Sequence, residues 1–374
     1  MPFRLPTEVH FGQGAISNLP RIIEELPAKR PLLVSDQGVA KAGHVGRLLP
    51  ICQPVDVLLE IEPNPRHSTI NRLAEKVRSL QPDLVIGLGG GSVLDAAKAL
   101  ALLLSNPGRI EDYEGREKYH YPPLPILAIP TTCGTGSEVT WVSVITHTER
   151  RFKMSIKGKS LFPKWALVDP DLLLTLPPSL IASTGLDALT HAIEAAIVKP
   201  ANPFSDMYAR EAISLIFDSL LRAYHAIKED QEAREKMLLG SLLAGVAFCN
   251  SDVGAVHCLA EALGGIFDLP HGVANAVFLP YVLEFMVPAA KEKIIRMARW
   301  AGLEAKEEEA VNLFLRQIKD MAKKMNIPSL SELKIKVEDF PEIARRAAIN
   351  NSNPSNPRLM GEAEYIFLLN QAYS

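Results

Sequence analysis

The sequence predicts two domains of unlike class: an α/β domain over 1–176 built on a mostly parallel sheet, and an all-helical domain over 177–374. Three observations carry this. At 374 residues the chain exceeds one typical core. Short apolar runs alternate with helix-patterned segments to about residue 170, the signature of a parallel sheet. After DPDLLLTLPPSL nearly every segment has helical spacing, punctuated by Pro200, Pro203, Gly254, Pro270 and Pro288.

The elements follow in order. EVHF (8–11) is a short strand, and 15–26 has helical spacing. PLLVSD (31–36) and VDVLLE (55–60) read as buried parallel strands, apolar and ending in an acid. Ile70, Leu73, Val77 and Leu80 give 68–80 a helical period. DLVIGLGGGSVLDAAKALALLL (83–104) reads as strand, glycine turn and long helix. PLPILAIPTTCGTGSE (123–138) is a strand ending in a Thr/Gly-rich turn, and 152–156 and 166–169 are further strands. Helices are then expected at 186–198, 204–226, 231–250, 254–265, 271–286, 289–301, 307–325 and 338–348. NNSNPSNPR (350–358) is a loop before a last helix, and no internal repeat interrupts the pattern.

Composition excludes several classes. Hydrophobic residues at 47% and charged residues at 22% are ordinary for a globular chain. A net charge of −3 argues against nucleic-acid or anionic-membrane partners. No uninterrupted apolar run reaches membrane-spanning length, and the N-terminus lacks a signal-peptide pattern, so a cytoplasmic protein is expected. Cys52, Cys133, Cys249 and Cys258 are scattered without a CxxC pair and read as free thiols. Cys258, beside His257, is the one to weigh as a metal ligand.

Two polar turns follow strands. In GGGSVLDAAK, Gly89, Gly90, Gly91 and Ser92 lie between strand and helix, where a phosphate could approach open backbone and a helix N-terminus. The pattern is neither GxGxxG nor a P-loop, and a plain tight turn is the alternative. Asp95 joins the cofactor candidates; with Lys98 it could equally form only an exposed ion pair. In PTTCGTGSEVT, Thr131, Thr132, Thr135 and Ser137 present hydroxyls that either line a ligand crevice or cap a helix. Asp36 ends an earlier strand, placed to bind a ribose diol and favour NAD over NADP, or to cap a helix.

A third constellation suits a metal. Asp187 and His191 in GLDALTHAIEA share a helix face four residues apart, in apolar surroundings where an unpaired carboxylate is costly. His257 and His271 stand fourteen residues apart, with Gly264, Gly265 and Pro270 expected to break any single helix between them. One carboxylate and three imidazoles are an economical way to hold a divalent ion. His10, His44, His67, His120, His147 and His225 read as structural, and no HExxH motif is present.

GGGSVLDAAK, PTTCGTGSEVT, DALTHAIEA, AGVAFCNSDVGAVH and LPHGVANAVFLP together resemble the iron-containing (group III) alcohol dehydrogenase family, over about residues 8 to 370. The resemblance implies a Rossmann-like nucleotide domain and an all-helical metal domain (the dehydroquinate synthase-like fold), with the active site in the cleft between them. It implies Fe2+, with Zn2+ or another divalent ion as alternatives, on Asp187, His191, His257 and His271. The NAD(H) pyrophosphate would lie on Gly89 to Ser92, with the Thr/Ser turn and Lys153, ten residues before Pro163, also lining the cofactor. Asp36 goes with NAD preference, and Phe248 is a candidate wall for substrate or nicotinamide. A homodimer is implied as well. Many relatives carry a second histidine four residues after the third ligand; here Glu261 stands there. Glu261 is then a candidate for proton transfer or for selecting substrate or metal, the bland alternative being a solvent-facing carboxylate.

The implied activity is hydride transfer between nicotinamide and a primary alcohol or diol, or its aldehyde, held at the metal. Three competing readings share some of these features: a reductase of an acidic substrate (hydroxyacid dehydrogenase or maleylacetate reductase type), a dehydroquinate-synthase-like lyase, and a non-catalytic nucleotide- or metal-binding protein. The intact ligand set and both polar turns favour the alcohol dehydrogenase reading.

Overall fold

The computed structural model describes residues 3–25 and 29–373, and the expected helix over 15–26 therefore runs one residue beyond the first of these segments. Its contacts divide the chain into two compact units. One comprises Leu5–Thr132 and Gly136–Thr175; the other comprises Leu176–Ser374 with Met1–Arg4 and Cys133–Thr135.

The first unit is α/β. In chain order it runs β1 (Glu8–Phe11), α1 (Leu19–Glu25), β2 (Pro31–Val34), α2 (Gln37–Lys41), α3 (His44–Cys52), β3 (Asp56–Leu58), α4 (His67–Arg78), β4 (Leu84–Gly89), α5 (Gly91–Ser105), β5 (Gly115–Arg116), β6 (Ile126–Pro130), β7 (Val142–His147), β8 (Phe152–Lys157) and β9 (Trp165–Val168). Six strands form one parallel sheet in the order β1-β9-β6-β4-β2-β3. Every residue of β2, β4, β6 and β9 is buried, which is why these strands read as continuous apolar runs rather than alternating ones. Helix α5 is apolar almost all round and buried from Val93 to Leu103 save Asp95. Strands β7 and β8 form an antiparallel hairpin, with β5 alongside β8.

Two features of this unit differ from expectation. Between the strands expected at 31–36 and 55–60, where no element is expected, residues 37–41 and 44–52 form α2 and α3. Gly43 supplies the left-handed turn (φ 86°) that separates the two short helices. Strand β7 lies directly after the Thr/Ser-rich turn, whose polar character masks its start.

The second unit is helical: α6 (Pro178–Ile197), α7 (Pro203–Ala226), α8 (Gln231–Cys249), α9 (Ala255–Phe267), α10 (His271–Trp300), α11 (Glu307–Lys324), α12 (Phe340–Ala348) and α13 (Glu362–Gln371). Helix α6 starts eight residues before the expected 186, with Pro178 in its first turn. It is buried from Ile181 to Ile197 save Thr184 and packs against α7, α8 and α10, so it is the axis of this unit. The two helices expected at 271–286 and 289–301 run end to end within α10 and are divided by a non-helical kink at Ala290 (φ −141°), just past Pro288. By length and composition alone α10 could cross a membrane, contrary to expectation, but its most apolar stretch is 61% buried within the protein. Gly264 and Gly265 stay inside α9; the break before α10 is Asp268, in the left-handed region (φ 57°), followed by Leu269 and Pro270.

Candidate metal centre

Helix α6 carries Asp187 and His191 one turn apart into the centre of the helical unit, where both are buried. His257 lies in the first turn of α9, and His271 is the first residue of α10. A β-carbon added at Gly272 would fall 2.5 Å from the Ser183 carbonyl oxygen. Only glycine lets the start of α10 rest on the α6 backbone, one turn before Asp187. The four candidate ligand atoms lie within 4.8 Å of one another.

The donor set fits a cation. His191 Nε2 and His257 Nε2 stand 2.9 Å apart. Two imidazole nitrogens at this distance share either a hydrogen, one ring donating to the other's lone pair, or a metal ion. Burial pulls the His191 pKa down to about 3, so its ring is neutral with a lone pair to offer. Burial also pulls His257 down, but the Glu194 carboxylate outweighs it and leaves its pKa raised. Asn275, i+4 from His271, donates its amide to Asp187 Oδ1 (2.6 Å), and its Nδ2 lies 3.1 Å from His271 Nε2. Phe248, near the end of α8, stacks on the His191 ring with centroids 4.3 Å apart and fixes its plane.

Glu194 is the residue the sequence did not single out. It is buried beneath the centre and accepts from the backbone N–H groups of Gly254 (2.7 Å) and Val256 (2.8 Å), tying down the start of α9. His257 Nδ1–H donates to the same carboxylate at 2.6 Å, which turns Nε2 inward. Asp187, His191 and Glu194 are spaced i, i+4, i+7, so a one-face reading of α6 contains the signal. A Glu194→Gln chain is expected to hold metal about 10- to 100-fold more weakly, measured by competition with a chelator. Unchanged affinity would reduce Glu194 to a helix anchor.

Glu261 does not face free solvent. It is half-buried on the same helix as His257 and accepts from Asn350 Nδ2 at 2.7 Å. Cys258 is buried, and desolvation pushes its thiol well above the usual range, so it stays protonated and is a poor ligand.

In the α/β unit both polar turns occupy the carboxyl ends of adjacent parallel strands. Gly89 of β4 pairs with Pro130 of β6, and the Thr131 N–H donates to the Gly89 carbonyl. A β-carbon at Gly89 would lie 2.6 Å from Val93, so the turn demands glycine there. Gly90 is the N-cap of α5 without a side-chain cap, and Gly91 and Ser92 form the helix's first turn, leaving backbone N–H groups for an anion.

Other candidates have internal partners. Asp95 accepts from Ser137 Oγ (2.7 Å) and from the Val144 N–H (3.0 Å). Lys98 is wholly buried rather than half of an exposed pair, and donates to Ser137 Oγ (2.7 Å), Thr140 Oγ1 (3.0 Å) and the Val142 carbonyl (2.9 Å). Asp95 and Ser137 therefore brace the second turn. Thr131 is buried, while Thr132 and Thr135 are half-buried. Lys153, on β8, is buried and donates to Asn64 Oδ1 at 2.5 Å. Asp36 caps α2, accepting from the Val39 N–H at 2.9 Å, so the capping alternative is realised.

Comparison with known proteins agrees with both units. The iron-containing alcohol dehydrogenase family matches residues 6–170, and the C-terminal domain of Fe-containing alcohol dehydrogenases matches residues 181–373. Alcohol dehydrogenase 4 of Saccharomyces cerevisiae is 37% identical over 99% of this chain and 98% of its own length. A crystal structure of 1,3-propanediol oxidoreductase superposes with a TM-score of 0.95 at 37% identity, covering 100% of this chain and 99% of the other. Sulfoacetaldehyde reductase from Bifidobacterium kashiwanohense, solved with NAD+, gives a TM-score of 0.90 at 30% identity, covering 100% and 98%. Matches that run the length of both units, at this identity, establish that the chain belongs to the iron-containing alcohol dehydrogenase family.

Proposed function

We propose that this chain is a metal-dependent, NAD(H)-linked dehydrogenase that interconverts a primary alcohol or diol with its aldehyde. The observation that carries the reading is the buried convergence of one carboxylate and three imidazoles, with His191 and His257 held nitrogen to nitrogen. Asp187, His191, His257 and His271 would hold Fe2+, with Zn2+ as the alternative. Bound there, the ion supplies Lewis-acid polarisation of the substrate oxygen. Glu194 orients His257, Asn275 orients Asp187, and Phe248 walls the site beside His191.

On this reading Gly89 to Ser92 and the start of α5 receive the NAD(H) pyrophosphate, Lys153 lines the cofactor, and Asp36 disfavours a 2′-phosphate. Glu261, oriented by Asn350, accepts the alcohol proton. Glu261→Gln is expected to slow turnover and to displace the limb of the pH–rate profile that reports this base. An unaltered profile would remove Glu261 from the proton path. A homodimer, a cytoplasmic setting and a domain boundary near residue 176 belong to the same reading, and sedimentation tests the first.

The deciding experiment is NADH oxidation by metal-stripped protein, alone and after restoring Fe2+ or Zn2+. The aldehyde panel spans short alkanals, hydroxyaldehydes and acid-bearing aldehydes. Metal-dependent turnover supports the proposal. The similarity to a sulfoacetaldehyde reductase makes preference for acid-bearing aldehydes the second reading. No turnover with any metal would favour a non-catalytic chain.

A further inference from the structure

The α/β unit brings His67, His147 and Glu149 together, their candidate ligand atoms all within 4.8 Å. We propose that these three side chains form a second metal site that takes a divalent transition ion such as Zn2+. His67 opens α4 and is buried, His147 ends β7, and Glu149 lies in the β7–β8 turn, 70% exposed.

Hydrogen bonds to the backbone place both rings. His67 Nδ1 is 3.3 Å from the Thr146 carbonyl oxygen. A carbonyl only accepts, so Nδ1 carries a hydrogen and Nε2 is the atom left for a ligand. That Nε2 is 3.1 Å from Glu149 Oε2. His147 Nδ1 has one lone pair, which takes a long 3.4 Å contact from the Arg150 backbone N–H that a bound ion would displace. It also lies 3.1 Å from Glu149 Oε2. Two ring nitrogens thus converge on one carboxylate oxygen.

That oxygen either takes a hydrogen from each ring or shares one cation with both. Ligands about 2.0–2.1 Å from a tetrahedral ion sit about 3.3 Å apart, close to the spacing found. The two rings stack with centroids 4.3 Å apart, so both are already oriented. Two imidazoles and a carboxylate suit Zn2+, Co2+, Ni2+ or Cu2+ better than Mg2+ or Ca2+. The exposed carboxylate gives ions an entry, and water can complete the coordination. An ion here would pin α4 to the end of β7, where the Thr146 N–H already donates to the Pro65 carbonyl. Thr146 lies opposite Lys153 in the hairpin register, so the pinned strand end is the one that carries the Lys153–Asn64 bond.

The test counts ions. Stripped chain dialysed against micromolar Zn2+ and free of excess is expected to carry two per chain, and Glu149→Gln or His147→Gln one. Asp187→Ala should carry one, and Asp187→Ala with Glu149→Gln none, which separates this site from the buried one. Zn2+ should also raise the thermal midpoint of Asp187→Ala but not of the double variant, while the two melt alike in chelator. A second ion retained by both Glu149→Gln and His147→Gln, or no ion on Asp187→Ala, would overturn the proposal.

Discussion

An Asp187→Ala chain is expected to purify without metal in the buried centre and to turn over at least about a thousandfold more slowly. Asp187 is the only anionic member of the candidate set, 2% exposed, and supplies the charge that offsets a divalent ion in an apolar helix core. Without it three neutral imidazoles would have to hold the ion alone. Asn275 would lose the acceptor that fixes its amide beside His271. A metal that polarises the substrate oxygen lowers the barrier by several kcal/mol, and about 4 kcal/mol is a thousandfold. His271 is 25% exposed at the rim, so His271→Ala should cost less.

The same variant should melt no lower than metal-stripped wild type. Removing a buried carboxylate that lacks its cation relieves desolvation, whereas the loaded wild type gains stability from the ion. Metal content by mass spectrometry, steady-state rates and melting in chelator check the three parts. Full metal occupancy in Asp187→Ala would show that the imidazoles alone make the site. Acid should mimic the mutation in part. His257, with its pKa raised by Glu194, keeps a proton where the metal must bind, so metal affinity falls as the pH drops toward and below that pKa.

How much of this was legible depended on range. The buried strands β2 and β4 announce themselves as apolar runs, and Asp187 with His191 as one face of a helix, because those signals lie within ten residues. Gly264 and Gly265 misled, since glycines that read as breakers are absorbed inside α9, and the turn comes from Asp268. The short helices α2 and α3 announce themselves less, since α2 has only five residues and Gly46 and Pro50 interrupt the pattern of α3. The role of Glu194 depends on a residue sixty positions away, and that of His67 on a strand about eighty away. No local period encodes such meetings. Asp95 and Lys98 looked like a surface pair because i, i+3 spacing is blind to β7 folding over them.

Lys98 sets the second large effect. Lys98→Met is expected to destabilise the α/β unit by about 3–5 kcal/mol. Methionine nearly matches the length and volume of the lysine stem, so packing survives and the loss is electrostatic. Lys98 is 0% exposed, and its ammonium donates to Ser137, Thr140 and the Val142 carbonyl, with Asp95 at 3.9 Å. Remove it and Asp95 is a buried carboxylate without its nearest cation. At about 2–4 °C per kcal/mol for a domain of this size, the melting midpoint should fall by about 10 °C.

The pH dependence has a definite sign. Burial raises the Asp95 pKa and Lys98 opposes that rise, so the variant raises it further. A carboxyl whose folded pKa exceeds its unfolded value of about 4 binds the extra proton in the folded state. Stability is then lost as the pH climbs from about 4 through the folded pKa, and the deficit should shrink toward pH 4. Adding Asp95→Asn removes the stranded charge and should recover part of the loss, which neither single change does. Because Asp95 and Lys98 share Ser137, both single variants should also loosen the Thr/Ser turn and weaken NADH binding. A Lys98→Met chain as stable as wild type at neutral pH would mean that the buried ammonium braces nothing, and that the turn keeps its shape through its backbone alone.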